Sequence, residues 1–223
     1  MTKERLKNIF VPVLKEELDA GFSDKESQLF MSPVPIDKQA DAGKSMAPDS
    51  AKISSVMILL FLSTKKELNV VFTRRAKNIQ HGGELSFPGG KREGDESLIT
   101  TAVRETEEEI GIKRSVISVL GQLSDLYVAY SHHLITPVVG ILDFVPRFMI
   151  NKQEVEEAFS IPLEQLLDGK NQFVEEWHLH SNASYKVPFW HVHEVPLWGA
   201  TAMILNEFLT LIKKCEKNGR LYP

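Results

Sequence analysis

A single cysteine, Cys215, stands among 223 residues. It rules out a disulfide within the chain and favours a reducing compartment. Cys215 follows Lys213 and Lys214 at the end of an expected terminal helix and is not read as a nucleophile. Long apolar runs are also missing. The longest, residues 56–62, falls far short of the roughly 20 residues that cross a bilayer. The opening MTKERLKNIFVPVLKEEL lacks the apolar core and small-residue cleavage site of a secretory signal. Excess positive charge is absent too, with 26 Lys and Arg against 30 Asp and Glu, a net charge of −4. That balance excludes a broad basic footprint for nucleic acid or an anionic membrane, but not a small phosphate ligand. The expectation is a cytoplasmic protein that binds neither nucleic acid nor membrane.

With 43% hydrophobic residues the chain can bury the core of one large domain with decorations. Residues 1–50 read as an accessory helix followed by an irregular strap. Leu6, Ile9, Phe10, Val13, Leu14 and Leu18 recur at helical spacing, Pro12 kinks or restarts the turn, and 31–52 is an irregular connection. Residues 51–215 then alternate. VMILLFL and LNVVFTR read as strands joined by the polar turn 63–67, and 116–123 and 134–144 as further strands. EVEEAFSIPLEQLL reads as a strand, a proline break and a short helix. FVEEWHLH and YKVPFWHV read as a hairpin turning at 181–184, and the last helix spans about 198–214, leaving a tail at 216–223. The fold class expected is α/β, a mixed sheet between helices.

The stretch GGKREGDESLITTAVRETEEEIGI carries the chemistry. A helix over about 96–110 would end at Gly111, where a left-handed cap is wanted. At about 100° per residue, Glu109 lies roughly 40° to one side of Glu105 and Glu108 roughly 60° to the other, so three carboxylates share a face. Ile99, Ala102, Val103, Thr106 and Ile110 occupy the neighbouring arc suited to the sheet, and Glu107 points away into solvent. Like charges at this spacing repel, and Arg104 is the only cation between Glu96 and Lys113. Carboxylates gathered without counter-charges suit a hard divalent cation, which takes oxygen ligands. Arg104 can reach both Glu96 and Glu108 and is read as orienting acids. Gly89 and Gly90 allow close backbone approach to an ion or ligand.

Gly90, Glu96 and Arg104-Glu105-Thr106-Glu107-Glu108-Glu109-Ile110-Gly111-Ile112, in that spacing, resemble the Nudix box, with Thr106 where an aliphatic residue is usual. The resemblance implies an α/β/α sandwich and a Mg²⁺- or Mn²⁺-dependent hydrolase of a nucleoside diphosphate linked to another group. By the same resemblance Glu105, Glu108 and Glu109 are metal ligands, Gly90 offers its carbonyl, and Glu96 pairs with Arg104. VVFTRRAKNIQHGGELSFPGGK, LYVAYSHHLITPVVG, EVEEAFSIPLEQLL and WGATAMIL are similar to the coenzyme A diphosphatases of that group. Ile79 stands where many of those carry an arginine, which removes a possible contact to a 3′-phosphate. The resemblance as a whole implies coenzyme A or an acyl-CoA as the substrate; NDP-sugar, ADP-ribose, dinucleoside polyphosphate or capped RNA are the alternatives, and a non-catalytic nucleotide-binding regulator a further one.

For catalysis, Glu105 or Glu108 from the helix, or Glu154 from a facing loop, are candidate bases. Arg74 and Lys91 are candidate phosphate contacts, and Tyr127 or Tyr130 candidate adenine platforms. The histidines do not form a zinc site. With a turn at 181–184, His178 would face Val187, His180 would face Tyr185 and His191 would face Val174, which sets the pairs some 13 Å apart, too far for bonds of about 2 Å. Residues 1–50 are candidates for covering the site or for mediating a homodimer.

Overall fold

The computed structural model describes residues 1–36, 47–179 and 183–220. Part of the expected strap, His180 and the start of the expected hairpin turn lie outside these. The N-terminus forms one nearly continuous helix in three pieces, α1 (Lys3–Arg5), a π turn (Leu6–Phe10) and α2 (Val11–Asp19). The π turn is the response to Pro12, whose ring would clash with the carbonyl four residues back. Widening the preceding turn, so that the Val11 amide bonds the Leu6 carbonyl, makes room for it. A short helix absent from the sequence reading, α3 (Lys25–Phe30), follows, capped by Asp24 accepting from the Ser27 amide. Leu6, Phe10, Leu14 and Leu18 are buried in the main core.

Among the described residues the central sheet has eight strands. Along its main path β4 (Leu85–Ser86), β3 (Leu68–Arg75), β2 (Lys52–Leu62), β8 (His133–Leu142) and β6 (Ser118–Gln122) are neighbours, while β5 (Gly89–Lys91), β7 (Leu126–Val128) and β9 (Val155–Pro162) pair with β2, β8 and β3. β2 and β8 run parallel over ten register pairs, and the other pairings are antiparallel. Strands covered on both faces read as unbroken apolar runs, and β2 does so. Ile58, Leu60 and Leu62 enter one core with the N-terminal helices and α6 (Gly199–Lys217). Met57, Leu59 and Phe61 enter a second core with α4 (Leu98–Ile110). The result is the α/β/α layering expected, with α6 running to Lys217.

A second, four-stranded sheet contains β1 (Val34–Pro35), β11 (Ser184–Trp190), β10 (Gln172–His178) and β12 (Leu197–Trp198). Thus two residues inside the expected irregular connection form a strand. The hairpin register also differs from expectation: His178 faces Ser184, not Val187, and Val174 faces Pro188, not His191. α5 (Leu163–Leu167) follows β9 directly, as the proline break suggested. Ile99, expected on the sheet side of α4, is instead exposed at its first turn.

Candidate active site

α4 is fixed at both ends by its own sequence. Ser97 caps the start by accepting from the Thr100 amide. Gly111 closes the end at φ +75°, a left-handed conformation, and a Cβ there would stand 2.8 Å from the Met149 Cβ. The segment after β8 is riveted to this end. Met149 donates its amide to the Ile110 carbonyl and Asn151 to the Glu109 carbonyl, both at 2.9 Å, which satisfies terminal helix acceptors. Glu154 then donates its amide to the Asn151 carbonyl at 3.0 Å, while its own carbonyl accepts from the Ala76 amide at the end of β3 at 2.9 Å.

The glycine turn approaches from the other side. Phe87 is buried and stacks on Phe72 at 5.0 Å, anchoring the turn. β5 then pairs with β2, Gly90 opposite Ser55. A Cβ at Gly90 would lie 2.4 Å from the Glu105 Cδ and Oε1, so only a bare backbone leaves that carboxylate in place. The Gly89 amide donates to Glu109 Oε2 at 3.1 Å. Glu105, Glu109 and Glu154 can each present an oxygen with all three within 4.8 Å of one another.

Arg104 organises the flank. It is nearly buried and donates to Glu96, to Glu105 Oε1 at 3.0 Å, to Glu108 Oε2 at 2.9 Å and to the Lys91 carbonyl at 2.9 Å. The Arg104 hydrogen bond holds the Glu96 carboxyl down at about 2, and the surrounding acids push the Arg104 pKa up. The opposite holds in the cluster. Burial pushes Glu109 up to about 8 despite the Gly89 amide and the field of Arg75, and burial also raises Glu105 against the pull of Arg104. A buried acid that resists ionisation beside two other carboxylates fits a bound divalent cation, which would reverse both the desolvation cost and the repulsion.

The geometry sorts the residues picked out from sequence. Glu96 and Arg104 pair as expected. Glu105 and Glu109 converge, joined by Glu154; Glu108 is half exposed and engaged with Arg104. Glu107, expected to be solvated, instead binds Lys113 and Arg114 at 2.8 and 2.9 Å, which holds its carboxyl at about 2. Arg74 donates to Glu194 at 2.7 Å and lies 3.6 Å from Glu156. Even positions of β3 such as Val70 and Phe72 face the α6 side, and odd ones such as Val71 the α4 side. Alternation therefore gives the cluster face to Arg75 rather than Arg74. Arg75, not picked out from sequence, lies near enough for its charge to act on Glu109. Lys91 is exposed at the end of β5. Tyr127 bonds His132 Nδ1 at 3.0 Å, and Tyr130, mostly exposed, meets the His81 ring edge-on at 6.5 Å. No helix among the described residues is long and apolar enough to cross a membrane.

Comparison with known proteins agrees with this geometry. The model of the NUDIX domain matches residues 51–181. The protein named "Uncharacterized Nudix hydrolase NudL" in Yersinia pestis (strain Pestoides F) is 35% identical over 159 residues, covering 70% of this chain and 79% of the relative. Its counterpart in Yersinia pseudotuberculosis serotype O:1b (strain IP 31758) matches equally. Among solved structures, the Nudix hydrolase RenU of M. smegmatis aligns with a TM-score of 0.51 at 14% identity, over 75% of this chain and 87% of its own. A MutT/nudix family protein from Enterococcus faecalis aligns at 0.52 and 15% identity, over 87% and 76%. These structures share the fold. From the family match, the identity to its relatives and the box residues in place, the chain belongs to the Nudix family and is a hydrolase acting on a nucleoside diphosphate derivative.

Proposed function

We propose that the protein cleaves the diphosphate of coenzyme A or an acyl-CoA, giving 4′-phosphopantetheine or its acyl form and adenosine 3′,5′-bisphosphate. The observation that carries the reading is the meeting of Glu105, Glu109 and Glu154 beside the bare Gly89-Gly90 turn. The likeness of residues 70–91 and 126–140 to coenzyme A diphosphatases supports the substrate.

Glu105, Glu109 and Glu154 would hold a divalent cation, Mg²⁺ or Mn²⁺, with the Gly90 carbonyl and Glu108 as further donors. When bound, the cation supplies positive charge against the diphosphate and makes water more acidic. Arg104 holds one oxygen of Glu108, and Glu108 would accept a proton from water. Arg75 uses Nε to donate to the Gln80 carbonyl at 3.1 Å, which pins the guanidinium with its terminal nitrogens available to phosphate oxygens. Tyr127 and Tyr130 would serve as platforms for adenine.

The test is incubation of the purified protein with Mg²⁺ or Mn²⁺ and coenzyme A, acetyl-CoA, ADP-ribose, an NDP-sugar, a dinucleoside polyphosphate and capped RNA, with products identified by mass. Release of adenosine 3′,5′-bisphosphate from coenzyme A is expected. Turnover of another compound with coenzyme A untouched rejects the substrate.

A further inference from the structure

Adjacent residues of β5 point to opposite faces of the sheet. Gly90 faces Glu105, so Lys91 faces the other way, towards the α6 side. Its register partner on β2 is Ser54. Two residues earlier on β2, and therefore on the same face, stands Lys52, whose register partner on β8 is His133. Ser54 Oγ and His133 Nδ1 lie 2.7 Å apart, so the imidazole leans across β2 towards Lys91. Two lysines and a histidine thus share one face across three strands, a width of about 10 Å, and the long lysine arms can converge over it.

No carboxylate occupies this face at the neighbouring register positions, which hold Val56, Ile135, Pro137 and Val128. Burial lowers the His133 pKa, and the charged groups that act most on it, Lys52, Lys91, His81 and His132, are all basic and lower it further. Four arginines elsewhere meet acids: Arg74 meets Glu194, Arg104 meets Glu96, Arg114 meets Glu107, Arg220 meets Glu17. Lys52 and Lys91 are both exposed. A Ser54 hydroxyl donating to Nδ1 leaves the neutral ring with its proton on Nε2, aimed as a donor.

We infer that Lys52, Lys91 and His133, with Ser54 orienting the ring, form a second anion subsite for a phosphate monoester, separate from the carboxylate cluster and across β5 from it. Residue 90 serves the diphosphate side of the strand and residue 91 the monoester side. The inference deepens the coenzyme A reading and rests on it for the identity of the monoester, the 3′-phosphate of the adenosine half. It also supplies the cation that Ile79 does not.

The test is binding to the full-length protein without metal, in EDTA, by calorimetry, with adenosine 3′,5′-bisphosphate and 5′-AMP as probes. The wild type should prefer the bisphosphate by about tenfold or more, the order expected of a charge-assisted phosphate contact. K52A and H133Q, both at positions outside the buried core, should each reduce that preference several-fold and together abolish most of it, with AMP affinity changing less than about twofold. Equal affinity for the two probes, or a preference untouched in the double variant, overturns the subsite. Because binding is read without cleavage, a retained preference in a protein inert towards coenzyme A supports the subsite and rejects only the substrate.

Discussion

Glu109→Gln tests the central electrostatic statement directly. In the metal-free protein the Glu109 carboxyl is pushed from 4.5 up to about 8. A raised acid pKa means that the folded chain keeps a proton which the unfolded chain releases. Stability from this group is therefore fully present below about pH 4.5 and is lost as pH rises through about 8. At about 1.4 kcal/mol per pH unit the gap corresponds to roughly 5 kcal/mol. Glutamine keeps the shape and can still accept from the Gly89 amide, but has no proton to lose. In EDTA, urea unfolding followed from pH 5 to pH 9 should show wild-type stability falling by about 2–4 kcal/mol, with the E109Q slope clearly flatter and the variant more stable than wild type at pH 8.5. Adding Mg²⁺ should stabilise the wild type by mass action and leave E109Q nearly unmoved, with turnover lost. Parallel pH slopes for the two proteins, or E109Q less stable than wild type at pH 8.5, would refute the reasoning.

Three further perturbations follow from the same geometry. Arg104→Ala strips partners from Glu96, Glu105 and Glu108 and should cost about 2–4 kcal/mol in denaturant unfolding; loss below about 0.5 kcal/mol would show the network to be idle. Gly90→Ala should lower Mg²⁺ affinity at least tenfold in a titration, because the new Cβ and the Glu105 carboxylate need the same space, while the melting temperature changes by only a few degrees. Glu207 is fully buried and accepts from the Asp24 amide at 3.0 Å and Gln28 Nε2 at 2.7 Å. Its replacement by alanine should cost about 2–3 kcal/mol and expose the segment around α3 to limited proteolysis; an unchanged digestion pattern argues against that clasp.

The acidic helix, its glycine cap and the Arg104 pairing were legible because each depends on spacing within a few residues. Strands β2 and β3 were legible for the same reason, as continuous apolar runs bounded by a polar turn. What escaped depends on contacts distant in sequence. α3 has only six residues and is held by Glu207, 179 positions from Gln28. The pairing of Glu107 with Lys113 and Arg114 needs the turn after Gly111 to fold back. Glu154 was named as a facing acid, yet its meeting with Glu105 and Glu109 follows from backbone hydrogen bonds to the end of α4. Arg74 was preferred to Arg75 from sequence, and the field of Arg75 on Glu109 emerges only from the fold.

The rivets between Met149, Asn151 and the last carbonyls of α4 have a consequence for measurement. One acid of the trio is carried by a loop and two by a helix, so the grip on an ion can be no firmer than the seam joining those pieces. An ion that tightens the trio must in turn hold the seam shut, and the exchange of the Met149 and Asn151 amides with deuterated solvent then becomes a gauge of occupancy. The gauge would work even on a variant too slow for any product to be seen.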